Sequence, residues 1–127
     1  MKRTVFLALL ALAFSAVLCV TGTCSVNRAV RRVEALRIQA EQAARAGDLE
    51  TAAAQLRTMA GDWRRREKVL ELVTAHDALS DVQGAIADAL ICLENGERVE
   101  FYRSSAALGA ALERMGVTES VRFMNLF

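Results

Sequence analysis

The chain has 127 residues, a net charge of +1, 54% hydrophobic residues, three cysteines, one histidine and no proline. The length fits one small domain, and the charge balance leaves no bulk electrostatic case for a nucleic-acid binder. Three cysteines and one histidine are too few for a zinc finger or a disulfide framework, and seven glycines without proline argue against a many-stranded sandwich or barrel.

After Lys2 and Arg3, the run from Val5 to Val20 contains no charge and one polar residue, Ser15. As a helix it spans roughly 24 Å, or about 28 Å with Thr21 to Thr23. A bilayer span takes ~17–25 residues and the apolar stretch of a cleavable signal ~7–15, so the run falls between them, nearer the span. Residues 1–24 are therefore read as a transmembrane or signal-anchor helix. Three alternatives stand beside it. Thr21-Gly22-Thr23-Cys24-Ser25 offers small residues for signal cleavage, without an Ala-x-Ala pattern. Acylation of Cys24 would want an aliphatic residue and a glycine or alanine where Thr21 and Thr23 stand. A soluble protein that buries the helix is the third.

Arg28, Arg31, Arg32 and Arg37 follow the run, and by charge count alone they would hold the body inside the cell. A short basic start before an apolar run looks instead like a signal-anchor, and the C-terminal domain is read as extracytoplasmic. Cys19 and Cys24 lie in or beside the apolar run, so no intramolecular disulfide is expected, and Cys92 reads as a small buried apolar residue.

From 25 to 127 the apolar positions recur at helical spacing. Val26, Val30, Val33, Leu36, Ala40 and Ala43 form one stripe that continues the anchor without a breaker, so one helix runs to about Ala46. Gly47-Asp48 reads as a turn in which glycine ends one helix and aspartate caps the next. Leu49, Leu56, Trp63 and Leu70 follow at seven-residue intervals, with Ala52, Met59 and Val73 in the seam and Arg66 interrupting it, giving a coiled-coil-like helix of about seven turns. Ser80 or Asp77 is expected to cap a third helix with Leu79, Val82, Ile86, Ala89, Leu90 and Leu93 inward. Asn95-Gly96-Glu97 is the second turn. A fourth helix presents Phe101, Ser105, Leu108, Leu112 and Met115 and is expected to end at Gly116, leaving Val117 to Phe127 to cover the end of a bundle.

Gly47-Asp48 and Gly96-Glu97 stand 49 residues apart, with Ala52 and Met59 echoed by Phe101 and Leu108. The segment AARAGDLETAAAQL is similar to half of a tetratricopeptide-type repeat, but two units are too few for a solenoid. The expected fold is all-α: the N-terminal membrane helix followed by a small antiparallel bundle, 25–127, of two helical hairpins.

His76 has no evident nucleophile or ligand partner, and with Asp77 or Asp81 makes an incomplete metal site. It is read as a histidine near a helix C-terminus. Trp63 on the heptad stripe reads as a core anchor rather than a ligand platform. Arg64, Arg65, Arg66 and Lys68 spread round their helix, with Glu67 and Glu71 as neighbours, so they form a solvated surface and not a nucleic-acid stripe. Arg28, Arg31 and Arg32 adjoin the anchor, where anionic head groups would attract them. No catalytic residue, cofactor-binding residue or metal ligand is assigned, and no cofactor is expected.

The Gly47-Asp48-Leu49 turn, Trp63 followed by Leu70, His76 with Leu79 and Val82, and the terminal Arg122-Phe123-Met124-Asn125-Leu126-Phe127 together resemble the uncharacterised bacterial family catalogued as domain of unknown function 4363. Asp77-Ala78 after the histidine and the alanine- and arginine-rich composition depart from that pattern. The resemblance implies a membrane-associated bacterial protein, gives Trp63, His76, Asn125, Leu126 and Phe127 as family positions of unknown role, and assigns no activity. The expected function is a non-catalytic interaction or structural protein of the bacterial envelope, single-pass in the cell membrane. Its partners would be membrane lipid, another membrane or envelope protein, and a second copy of the chain if the seam self-associates. The alternatives are a small-ligand or sensor module with a pocket near Trp63, His76 and Tyr102, and a secreted helical protein.

Overall fold

A computed structural model describes the backbone of residues 1–72, 74 and 76–126, with the side chains of these residues except 23 and 117–126. Four helices follow one another: α1 (Lys2–Arg45), α2 (Leu49–Leu70), α3 (His76–Glu94) and α4 (Arg98–Leu126), and no strand occurs among the described residues. α1 packs against α2 and α4, and α3 packs against the same two helices. The cross-helix pairs Arg32–Asp62, Arg57–Glu94 and Cys92–Ser104 join each helix to the next.

The two tight turns are built alike. Arg45 ends α1, and Gly47 adopts φ +86°, a left-handed conformation that a Cβ would oppose. The N–H groups of Gly47 and Asp48 then reach back to the carbonyls of Ala44 and Ala43 at 3.0 and 2.9 Å. After Glu94, Gly96 takes φ +73°, and Gly96 and Glu97 donate to Leu93 and Cys92 at 3.1 and 2.9 Å. Both are Schellman closures, which satisfy carbonyls that a helix end leaves open. Asp48 caps α2, accepting from the Thr51 N–H at 3.0 Å and the Thr51 hydroxyl at 2.6 Å. Those hydrogen bonds, the hydroxyl's first, hold the Asp48 carboxyl below its usual range.

The 49-residue echo extends through the core. Val33, Ala40, Ala44, Ala52, Met59 and Trp63 are buried, and so are Val82, Ala89, Leu93, Phe101, Leu108 and Leu112, each 49 residues on. Leu56, Leu70, Leu79, Ile86 and Met115 complete the interior. Leu56, Trp63 and Leu70 thus meet their apolar partners inside one chain, and the heptad seam is already covered.

Several expectations shift. The buried stripe of α1 is Val26, Ala29, Val33, Leu36, Ala40 and Ala44, whereas Val30 and Ala43 are only partly covered. Val30 and Ala43 thus stand at the margins of the buried stripe. α2 has about six turns rather than seven. α3 starts at His76, ahead of the expected cap, which brings the fully buried Leu79 into its first turn. Asp77 consequently lies inside that turn, where a carboxylate faces the positive end of the helix. α4 continues through Gly116 to Leu126. A glycine within a helix costs only about 1 kcal/mol against alanine, and Gly116 lacks the positive φ with which Gly47 and Gly96 end their helices.

No residue of α1 before Gly22 is buried. From Lys2 to Thr21 the helix projects about 30 Å beyond the packed bundle. It is long and apolar enough to cross a membrane.

Phe101 is fully buried and Leu72 is 84% exposed. Phe101→Ala is expected to cost about 3–5 kcal/mol and Leu72→Ala less than about 0.5 kcal/mol, read from urea denaturation of the detergent-solubilised chain.

Candidate functional site

Trp63, His76 and Tyr102 stand in different surroundings. Trp63 is 1% exposed on α2, wedged into the core by the same stripe that buries Leu56 and Leu70. Its Nε1 has no hydrogen-bond partner among the described residues. His76 opens α3 rather than closing a helix, and its side chain is 73% exposed with Nδ1 3.9 Å from a Glu71 carboxylate oxygen. Tyr102 is half-buried on α4, its ring 5.3 Å from that of Phe101 and 5.8 Å from the Arg45 guanidinium. Asn125 and Leu126 belong to the part of α4 whose side chains are not described, and Phe127 lies outside the described residues, as does any role of the tail in closing the core.

Two charged latches cross the bundle. Asp62 is buried beside Trp63 and takes the Arg32 Nε of α1 at 2.6 Å, together with Arg65 one turn on along its own helix. These hydrogen bonds, from Arg32 first, hold its carboxyl below the usual range. Arg37 of α1 bonds Glu34 through Nε at 2.9 Å and Glu41 through Nη1 at 3.0 Å. The buried Ser105 hydroxyl of α4 donates to the same Glu41 oxygen at 2.6 Å. Bonding to Glu34 is the main cause that raises the Arg37 guanidinium above, and lowers the Glu34 carboxyl below, their ordinary values. Gly109 makes room for this group: a Cβ there would stand 3.2 Å from the Arg37 guanidinium carbon.

The second latch was legible in part. Glu34, Arg37 and Glu41 have the i,i+3 and i,i+4 spacing of helical ion pairs, and Ser105 lies on the inward stripe of α4. Asp62 was missed because it is a lone acid whose partner Arg32 is 30 residues away. Arg65 turns to Asp62 and not to the glutamates that follow it.

Two surface clefts are lined by described residues. One, of about 280 Å³ between α1 and α2, is lined by Ser25, Arg28, Arg65, Arg66, Val69 and Leu70. The other, of about 370 Å³ between α3 and α4, has Ser80, Asp81, Asp88 and Arg114 in its walls. Neither lining includes Trp63, His76 or Tyr102. Cys19, Cys24 and Cys92 are free, with Cys92 Sγ 3.8 Å from the Ser104 hydroxyl. Among the described residues no group of three or more His, Cys, Asp or Glu side chains is placed to hold a metal ion. The arrangement offers cohesion between helices and a cationic cleft.

Comparison with family models, with curated proteins and with solved structures returned no match.

Because the folded Asp62 carboxyl titrates below its unfolded value, near 3.9, the unfolded chain binds the extra proton in acid. The stability it contributes is complete above that value and is lost as pH falls through the folded one. Asp62→Asn is expected to cost about 1–2 kcal/mol at pH 7, discounted because Arg32 and Arg65 are more than half exposed, and to flatten the acid loss between pH 5 and 2. Urea denaturation of both chains across that range measures it.

Proposed function

We propose that the chain is a membrane-anchored, non-catalytic interaction protein of the bacterial envelope. The first half of α1 crosses the membrane and the remainder builds two hairpins, α1–α2 and α3–α4, that bury each other's apolar stripes. The observation that carries this reading is the apolar surface of α1. Val5, Phe6, Leu7, Leu9, Leu10, Leu12, Phe14, Val17, Leu18 and Val20 are exposed on all sides of the helix, and only 6% of its most apolar window is buried. A helix apolar all round belongs in a protein core or a membrane, and the bundle does not cover this one. Moving ten such side chains out of water is worth on the order of 15–30 kcal/mol. The exposed length also matches a hydrocarbon layer about 30 Å thick.

A holding role is favoured by the use of the buried charges, because Asp62, Arg37, Glu41 and Ser105 tie helices together. The body stands off the bilayer as a compact support, with Ile38, Ile91 and Val99 exposed toward a partner, which we take to be another envelope protein or a second copy of the chain. The same proposal puts the C-terminal domain outside the cytoplasm, on the likeness of the basic start and apolar run to a signal-anchor. Membership of the domain of unknown function 4363 family is part of the same proposal and rests on the motif positions given above.

Two arginines in the apolar segment, Leu9→Arg with Leu12→Arg, add about 5–7 kcal/mol to the cost of insertion. The natural chain is expected in the membrane fraction and the variant in the soluble or degraded fraction; both chains in the soluble fraction would overturn the anchor. A C-terminal reporter active only outside the cytoplasm reads the side, and an inactive reporter moves every partner to the cytoplasm.

A further inference from the structure

The cleft between α1 and α2 brings three arginines, Arg28, Arg65 and Arg66, around one opening of about 280 Å³ with no carboxylate in its lining. Arg65 gives one N–H to Asp62 while its side chain stays 75% exposed, so most of its donors face outward. Arginine donors form a planar fork that matches phosphate oxygens, and Ser25 adds a hydroxyl at the rim. Val69 and Leu70 supply an apolar wall beside the cations. The lining therefore suits an anionic head carried on an apolar stem.

Position selects the same ligand. Val20 is the last exposed large apolar residue of the N-terminal apolar run of α1, and Ser25 and Arg28 follow about 8 and 12 Å further along the helix. Polar headgroups occupy roughly 5–8 Å on each side of the hydrocarbon, and long arginine side chains bend back along apolar surface to reach them. The end of α2 comes to the same level, with Val69 and Leu72 exposed there. The full set of cations belongs to one hairpin: 49 residues beyond Arg28 and Arg66 stand Asp77 and Met115, and Arg114, the counterpart of Arg65, shares its cleft with Asp81 and Asp88. Of the two clefts, the one beside the apolar extension is lined by arginines with no carboxylate, whereas the other sets Arg114 against Asp81 and Asp88.

We propose that this cleft binds the phosphate headgroup of an anionic phospholipid where α1 leaves the bilayer. The inference rests on the reading of α1 as a membrane anchor. A lipid phosphodiester and free inorganic phosphate present the same oxygens to the arginines, and the apolar wall commits the site to the lipid.

The test uses the full chain in neutral detergent, titrated with dioctanoyl phosphatidylglycerol, dioctanoyl phosphatidylcholine or inorganic phosphate, with bound ligand read by native mass spectrometry. Saturable one-to-one binding of phosphatidylglycerol is expected, at least about tenfold tighter than phosphatidylcholine, with inorganic phosphate failing to displace it at equal concentration. Arg28→Gln with Arg66→Gln is expected to weaken that binding about 25-fold, near fivefold for each charge. Arg31→Gln with Arg64→Gln removes the same charge outside the lining and is expected to change it less than about twofold. Equal affinity for the two lipids overturns the proposal, as does equal loss in both variants. Displacement by inorganic phosphate assigns the cleft to a soluble anion and overturns it too. The preference of the natural chain decides the matter even if a variant misfolds. Sedimentation with membranes reads the anchor separately, so a chain that fails to sediment but prefers phosphatidylglycerol would sink the anchor and keep the cleft.

Discussion

Everything in this fold depends on α1 serving two surroundings along one unbroken helix. From Gly22 onward its small and branched residues, Val26, Ala29, Val33, Ala40 and Ala44, are pressed into α2 and α4. Before Gly22 the same helix offers large apolar side chains to whatever lies outside the bundle. No proline, positive-φ residue or non-helical segment separates the two halves, so the orientation of one is transmitted rigidly to the other. The change in residue size along α1, from leucine and phenylalanine to alanine and valine, marks where one surrounding gives way to the next.

The body uses one folding rule twice. A Schellman closure at Gly47 ends α1 and another at Gly96 ends α3, and inward residues recur in the same register behind each. Ala52 and its counterpart Phe101 divide the space unequally, a small side chain in one half answered by a large one in the other. The polar latches do not repeat: Asp62 stands where the second half has Ala111, and Ser105 where the first has Leu56. Each latch ties α1 to a different neighbour, Arg32 to α2 and Arg37 with Glu41 to α4. The helix with the unpacked extension is therefore held by an ion pair to α2 and by the Ser105 hydroxyl of α4, as well as by apolar contact.

The all-α fold, the four helices and the two glycine turns were legible because each rests on local chemistry. Apolar period, a positive-φ glycine and an aspartate at the N-cap act within a few residues of one another. The misread boundaries came from competition that a local pattern does not contain. α3 begins at His76, with the buried Leu79 in its first turn, and Gly116 stays in helical backbone without the positive φ of Gly47 and Gly96. Of the site, Trp63 and Ser105 were placed correctly on inward faces. Asp62 and the basic cleft were not visible, because Arg32 meets Asp62, and Arg28 shares a cleft with Arg66, only once α1 and α2 have folded back on each other.

The most direct test of the account is the intact mass of the protein recovered from its native membranes after alkaline carbonate extraction. A full-length species of 13.8 kDa retained in the membrane pellet is the predicted result. A shorter species beginning near Ser25 and released into the supernatant would show that the apolar half of α1 is removed, and would contradict the anchored helix on which the account rests.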